Sequence, residues 1–154
     1  MKKINVLFSI VLLLFVACQH STEKAKSETS SSANQEINLN SETPIVLVYN
    51  FYATHRCASC IAIEDATKKT LDTYFAEAVK QGNIKQFSIN IDDEANAKLC
   101  EKYQAYGSGI YLTQVLKGKE TTIDLTGDGF KFALNKEDKF IEILKTNIEN
   151  LLKQ

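Results

Sequence analysis

Tryptophan is absent from the sequence, which also has only one proline, one methionine and four cysteines. Four cysteines are too few for a miniature scaffold held together by disulfides, and they are spread unevenly, so each requires its own interpretation. The 18 basic and 19 acidic residues nearly cancel, so nothing in the composition suggests a surface for nucleic acid. With 154 residues, 44% of them hydrophobic, the chain is expected to form one globular domain and to keep some length for targeting or a linker.

The first 17 residues have the pattern of a lipoprotein signal peptide. Two lysines precede an apolar stretch at residues 6–17, which is too short to span a bilayer stably, and Cys18 follows it. The run FVAC at residues 15–18 resembles a bacterial lipobox, although leucine is more usual than Phe15 at its first position. This resemblance implies cleavage before Cys18 and attachment of acyl chains such as palmitate, which together give a durable membrane anchor. The alternative is an ordinary secretory peptide that happens to end at a cysteine.

Residues 20–42 consist mainly of Ser, Thr, Lys, Glu, Asn and Gln. Such a segment cannot bury enough apolar surface to fold, and it predicts a flexible coil with a span on the order of 25–30 Å. The sequence therefore predicts a signal peptide at 1–17, a lipidated cysteine with a polar tether at 18–43, and a folded domain at 44–154. We expect this domain in the cell envelope, held to a membrane by its lipid and exposed to the periplasm.

Hydrophobic periodicity predicts the elements of the folded part. Residues 45–52, directly after Pro44, are β-branched and aromatic, which predicts a buried strand. A helix begins near Cys57 and ends at residues 81–82. There follow a strand at 84–91, a helix at 94–103, a hairpin of strands at 109–116 and 121–125, and an amphipathic helix that includes Phe140, Ile141, Leu144, Ile148, Leu151 and Leu152. The order β-α-β-α-β-β-α predicts an α/β fold with a central mixed sheet flanked by helices, whereas residues 126–134 fit either a loop or an extra helical turn.

Cys57 and Cys60 form a C-x-x-C motif where the first predicted strand gives way to the first predicted helix. A cysteine at the first turn of a helix lies at the positive end of the helix dipole, which stabilises its thiolate. This makes Cys57 the candidate nucleophile, and Cys60, about one turn further along, the candidate thiol that resolves a mixed disulfide. His55 and Arg56, just upstream, are candidates to add positive charge beside the thiolate.

The same residues also have structural interpretations. Cys57 and Cys60 would form a structural disulfide in an oxidising compartment, although a disulfide that closes so small a loop constrains the unfolded chain only modestly. His55 fits a solvated loop residue, and Arg56 fits a partner of an acidic surface group. Cys100, in the second predicted helix, is most simply a small buried apolar residue.

Metal binding is a further alternative for the cysteines. A closed zinc site needs four ligands, and only Cys57, Cys60, Cys100 and His55 are candidates, without a second C-x-x-C or an H-x-x-x-H. A two-thiolate site at Cys57 and Cys60, for a soft monovalent metal or a trivalent arsenical, needs less. The main prediction includes no metal and no cofactor.

The strand, the C-x-x-C motif, the helix and the late hairpin resemble the thioredoxin-like pattern over about residues 44–154. A narrower resemblance is to the nitrophenyl compound nitroreductase subunit ArsF family. It rests on the run RCxSCxAIE at 56–64, the dipeptide YF at 74–75, the strand end at 90–92 and the run GKET at 118–121. The family label implies a role near arsenical or nitroaromatic chemistry. Because the chain has no apparent flavin-binding feature, nitroreductase activity would require a separate catalytic partner.

Several features depart from the thioredoxin pattern. Thioredoxins carry a cis-proline opposite the C-x-x-C, in a context like Gly-Ile-Pro, whereas this chain has Gly-Ile-Tyr at 109–111. Tyr111 in that place bears on substrate docking and on metal exclusion. In addition, Ala58 and Ser59 replace Gly-Pro, no tryptophan precedes Cys57, and the buried acid that assists resolution has no clear counterpart. The direction of electron transfer does not follow from these differences.

Taken together, these patterns predict a membrane-anchored thiol–disulfide oxidoreductase outside the cytoplasm. Its expected partners are protein or small-molecule thiols and disulfides, with a membrane or periplasmic electron donor and no nucleic acid. The alternatives are a module that binds and delivers a thiophilic metal or arsenical, an accessory subunit of a nitroreductase, and a redox-inert scaffold.

Overall fold

A computed structural model describes residues 40–153, which form a four-stranded sheet with helices packed on it. The elements are β1 (Ile45–Tyr52), α1 (Ala58–Tyr74), α2 (Ala76–Lys80), β2 (Ile84–Asn90), α3 (Ala97–Tyr103), β3 (Gly109–Leu116), β4 (Lys119–Asp124), α4 (Thr126–Phe132) and α5 (Glu137–Lys153), with a 3₁₀ turn at Glu94–Asn96 before α3. The predicted signal peptide, Cys18 and the tether up to residue 39 lie outside the described residues. None of the helices in the described part is long and apolar enough to cross a membrane.

The strands lie in the order β2-β1-β3-β4. β1 runs parallel to β2 and antiparallel to β3, and β3 and β4 form the antiparallel hairpin. A parallel pair needs a crossover connection, which α1 and α2 supply between β1 and β2. The predicted fold class is therefore confirmed: the domain is α/β, with a thioredoxin-like element order and a mixed sheet flanked by helices.

β1 is a central strand, and its side chains are mostly apolar on both faces of the sheet. Every residue from Val46 to Phe51 is buried, as expected for a strand with a neighbour on each side and a layer on each face. Alternate side chains of β1 enter two separate cores. The first core lies under α1, α4 and α5 and contains Val46, Val48, Ile63, Ile110, Leu112, Phe140, Leu144 and Ile148. The second contains Leu47, Tyr49, Phe51, Phe87, Cys100 and Tyr103.

The helix predicted from Cys57 to residue 81 is in fact two helices. Phe75 leaves helical geometry, with φ −130° and ψ 15°, and separates α1 from α2. Its ring is buried in the first core, while its N–H still bonds to the carbonyl of Leu71 at 3.0 Å. The apolar spacing continues across the break to Val79, so periodicity alone did not locate it.

The segment at 126–134, for which the sequence left two alternatives, contains the helix α4. The carboxylate of Asp124 accepts the N–H of Thr126 at 2.8 Å, where the helix begins. Gly129 fits against α1 because a Cβ there would lie only 2.9 Å from the Cδ1 atom of Ile63. This close approach packs α4 against the helix that begins at the C-x-x-C motif.

Candidate redox-active site

Cys57 and Cys60 form a disulfide at the N-terminal end of α1, with their Cα atoms 5.0 Å apart. Cys57 is the N-cap residue, with φ −85° and ψ 161°, and its sulfur accepts the N–H of Cys60 at 3.1 Å. The first turn of α1 contains no acidic residue. The sulfur of Cys57 therefore lies at the positive end of the helix dipole, an environment that favours a thiolate. The prediction that the helix begins at the cysteines is confirmed.

The two cysteines differ in exposure. Cys57 is exposed, whereas Cys60 is half-buried. Ile63 and Thr67, which are buried, follow Cys60 by three and seven residues and so share its side of the helix. Cys60 thus faces the sheet while Cys57 faces solvent. An exposed Cys57 beside a half-buried Cys60 is the geometry that a nucleophile followed by a resolving thiol requires.

The loop between β1 and α1 is tied to the end of β2. The N–H of Thr54 donates to the Asp92 carboxylate at 2.7 Å, and the Nδ2 atom of Asn90 reaches the Thr54 hydroxyl at 3.4 Å. The backbone hydrogen bond from Thr54 lowers the pKa of Asp92, with help from the Thr54 hydroxyl and the charge of His55. His55 itself is exposed. These contacts hold the loop that carries His55 and Cys57 against the neighbouring strand.

Arg56 forms an ion pair with Glu64 of α1. The other carboxylate oxygen of Glu64 accepts the hydroxyl of Ser88 on β2 at 2.6 Å, and the guanidinium of Arg56 lies 4.9 Å from the ring centre of Tyr52. Of the two interpretations of Arg56, the structure therefore shows the ion pair with an acidic group. A direct effect of its charge on a thiolate stays a prediction.

Glu64 and Ser88 are site residues that the sequence analysis did not assign. Glu64 lies one helical turn after Cys60, which is the signal that single-sequence reasoning had available. Ser88 gave no such signal, because only the pairing of β1 with β2 brings it under α1.

Tyr111 lies on the other face of the sheet from α1. Its neighbours Ile110 and Leu112 belong to the core under α1, whereas the ring of Tyr111 packs edge-on against Phe51 and Tyr103, with ring centres 5.5 Å apart in both pairs. Burial raises the pKa of Tyr111. No peptide bond in the described residues is cis. The structure thus does not bring the Tyr111 ring to the side of the sheet that carries α1, and its influence on the site stays a prediction.

Cys100 is separate from the disulfide. It is a free, buried thiol of α3 in the second core, and burial raises its pKa. The interpretation of Cys100 as a small buried apolar residue is confirmed. Within residues 40–153, no group of three or more His, Cys, Asp or Glu side chains is placed to hold a metal ion. Once reduced, Cys57 and Cys60 would offer two thiolates to a thiophilic ion.

Comparisons with known proteins give distant structural similarities. No protein-family model matches the sequence, and no curated protein matches it. Among solved structures, the chain is similar to the first two thioredoxin domains of Eps1p from Naumovozyma dairenensis, with 18% identity and a TM-score of 0.44 over 72% of this chain and 38% of that one. A malarial protein is similar at 17% identity and a TM-score of 0.38, over 64% of this chain and 96% of that one. The fold class stated above rests on the strand order and register of the sheet.

Proposed function

We propose that this protein is a thiol–disulfide oxidoreductase in which Cys57 attacks and Cys60 resolves. The observation that carries the proposal is the disulfide itself, placed where an exposed sulfur caps α1 and its half-buried partner faces the sheet. In the reducing direction, the thiolate of Cys57 attacks a partner disulfide and releases one partner thiolate. The thiolate of Cys60 then attacks the Cys57 sulfur, re-forms the intramolecular disulfide and releases the second partner thiolate.

The proposal places the domain outside the cytoplasm on a lipid anchor at Cys18. Its support is the sequence of the first 43 residues: the short apolar stretch, the run FVAC at 15–18 and the polar tether. A disulfide between Cys57 and Cys60 also suits an oxidising compartment. Its partners would be protein or small-molecule thiols and disulfides, and a periplasmic or membrane electron donor would reset the pair.

We further propose a relation to the ArsF family, which the resembling run at 56–64 supports. Three residues of the resembling run have contacts that shape the site: Arg56 and Glu64 form the ion pair, and Cys57 caps the helix. An accessory role beside a nitroreductase would use the same exchange chemistry, with the domain supplying electrons to a separate enzyme.

The roles of Cys57 and Cys60 are tested by trapping mixed disulfides with variants of the full chain in which one cysteine at a time is replaced by serine. With Cys60→Ser, a thiol partner linked to Cys57 has no resolving thiol, so we expect the mixed disulfide to accumulate. With Cys57→Ser, we expect no trapping, because the exposed nucleophile is lost. Cys100→Ser is the matched control, and it should behave like the parent protein because Cys100 is buried away from the site.

The reduction potential of the pair, read by alkylation in defined thiol buffers, decides the direction of exchange. A reversible two-electron transition between roughly −270 and −120 mV supports exchange chemistry and shows whether the protein is a reductant or an oxidant.

Two results would contradict this function. In the trapping experiment, equal accumulation of mixed disulfide in Cys57→Ser and Cys60→Ser would contradict the assigned roles. Retention of one monovalent copper ion or one arsenite per reduced protein, in place of a reversible transition, would support the delivery module instead.

A further inference from the structure

Two buried hydrogen-bond donors, one on β1 and one in the loop before α1, have no acceptor among the described residues. One is the Nδ2 atom of Asn50, a residue of β1 that is only 2% exposed. The other is the Nε atom of Arg56 in the loop that precedes Cys57. Buried donors in folded proteins are almost always paired, because removing an N–H from water without replacing its acceptor costs free energy.

The Asn50 side chain lies on the face of the sheet that α1 covers. Val46 and Val48 belong to the core under α1, and Asn50 shares their face because side chains alternate along a strand. On β2, Ser88 is the register partner of Asn50, and the Ser88 hydroxyl donates to Glu64 of α1 at 2.6 Å. Asn50 is therefore next to the group that contacts α1 one turn after Cys60.

Cys60 is the sulfur nearest to this polar group along the helix. It precedes Glu64 by four residues, which is about one turn or about 6 Å along the helix axis, and it lies on the side of α1 that carries the buried Ile63 and Thr67. Arg56, which carries the second free donor, is fixed to the same Glu64 by its ion pair. Asn50, through its register partner Ser88, and Arg56, through its ion pair, are thus both adjacent to Glu64, one helical turn after Cys60.

We propose that Asn50 and Arg56 form a donor pocket that stabilises the thiolate of Cys60 once the disulfide is opened. This inference rests on the proposed exchange function and assigns residues to its second step. In that step the Cys60 thiolate attacks the Cys57 sulfur of a mixed disulfide, the Cys57–partner bond breaks and the partner leaves as a thiolate. The proton of the Cys60 thiol has gone to solvent, and the Nδ2–H of Asn50 donates to the sulfur, directly or through one water molecule.

The test uses the reduced full chain carrying Cys18→Ala as the parent protein, so that Cys18 adds no thiol, with 5,5′-dithiobis(2-nitrobenzoate) as the probe disulfide. Attack by Cys57 releases one thionitrobenzoate, and attack by Cys60 on the mixed disulfide releases the second. Stopped-flow absorbance separates the two phases, so each cysteine is followed in one experiment. With Asn50→Leu, which keeps the shape of the side chain and removes its donor, we expect the second phase to slow by about tenfold and the first to stay unchanged.

Asn50→Ser distinguishes a hydrogen-bond role from a packing role. Serine leaves a larger void than leucine but keeps a donor, so the pocket predicts a faster second phase in Asn50→Ser than in Asn50→Leu, and packing alone predicts the reverse order. The Ser variant also provides a measurement if Asn50→Leu does not fold. Gln114→Leu is the matched control, because Gln114 is a buried amide on the same face whose donor is satisfied by the carbonyl of Leu151.

The outcomes for the pocket and for the proposed function are separable. A second phase in Asn50→Leu as fast as in the parent protein overturns the donor pocket and leaves the exchange roles intact. A parent protein that releases no second thionitrobenzoate would overturn the exchange roles themselves. A slowing of the second phase by Gln114→Leu equal to that by Asn50→Leu would attribute the effect to general destabilisation and overturn the pocket.

Discussion

The cores on the two faces of the sheet differ in their amino-acid composition. Under α1, α4 and α5 the core is largely aliphatic and closely packed, to the point that Gly129 has no room for a Cβ beside Ile63. The opposite face is aromatic: Tyr49 lies 4.9 Å from Tyr103 and 5.0 Å from Phe87 between ring centres. Hydroxyl groups connect this second core internally, since Tyr103 bonds to Thr113 at 2.8 Å. The stability of the first core therefore depends on close packing, whereas that of the second core depends also on hydrogen bonds between tyrosine and threonine side chains.

The cysteines of the described residues also differ between the two faces of the sheet. The disulfide lies at the start of the helix that covers the aliphatic face, with Cys57 exposed, whereas Cys100 is buried among the rings. The helix N-terminus favours a thiolate at Cys57, and burial raises the pKa of Cys100. We therefore expect the reactivity of each cysteine to depend on whether it lies at an exposed helix N-terminus or inside a core.

The largest effect is expected from a truncation in the aliphatic core. Phe140→Ala removes a fully buried ring that packs with α1 and α4, and we expect a loss of about 3–5 kcal/mol in the free energy of unfolding. Urea unfolding of the full chain measures this loss. The matched control is Phe130→Ala, which truncates a ring that is 44% exposed and should cost much less. Equal losses in the two variants would remove the basis for treating this face as a tightly packed core.

An intermediate effect is expected from the aromatic face at alkaline pH. Burial raises the pKa of Tyr49 and of Tyr103, so the unfolded chain loses these phenolic protons at a lower pH than the folded protein. Their ionisation therefore leaves stability unchanged below about pH 10 and lowers it as the pH rises further. Tyr103→Phe should lose about 1 kcal/mol at neutral pH with the bond to Thr113, and then decline less steeply above pH 10.

Unfolding free energies measured from pH 7 upward, together with phenolate absorbance, check this second expectation. Tyr106→Phe serves as the control, since the Tyr106 side chain is 84% exposed and lies outside both cores. An unchanged alkaline slope in Tyr103→Phe would show that the buried tyrosines do not govern alkaline stability.

The smallest effect is expected at Cys100. Cys100→Ala should cost about 1 kcal/mol or less, because only one small buried group is lost. In the reduced native protein, iodoacetamide should label Cys57 readily and Cys100 only after unfolding, which peptide mass mapping resolves. Rapid labelling of Cys100 in the native protein would contradict the predicted difference in accessibility between Cys57 and Cys100.

Local sequence signals predicted the parts of this fold that depend on neighbouring residues. The apolar run at 45–52 specified β1, and the C-x-x-C motif marked the start of α1, because both signals lie within a few residues. The break at Phe75 was missed because the apolar spacing continues through it. The sequence pattern includes Asn50 only as part of a buried strand. That its Nδ2 atom has no hydrogen-bond partner follows from the packing around it and not from the sequence.

The contacts that complete the site lie far apart in the sequence. The ion pair of Arg56 with Glu64 spans eight residues, and the bond from Ser88 to Glu64 spans 24. The second depends on the register between β1 and β2, which periodicity does not fix. Sequence reasoning therefore located the sulfurs and did not locate the polar residues around them.

The cap formed by Cys57 makes one sulfur part of two equilibria. Because its sulfur accepts the N–H of Cys60, the bond that starts α1 changes strength when the disulfide becomes a thiolate, which is the better acceptor. Folding and reduction then form a closed thermodynamic cycle. If the folded protein favours the reduced form more than the unfolded chain does, the free energy of unfolding must be larger for the reduced protein than for the oxidised protein. For a two-electron couple, about 30 mV of potential corresponds to about 1.4 kcal/mol of stability. The difference in melting behaviour between the oxidised and reduced protein would consequently report how far the fold has shifted its own potential from that of the unfolded chain.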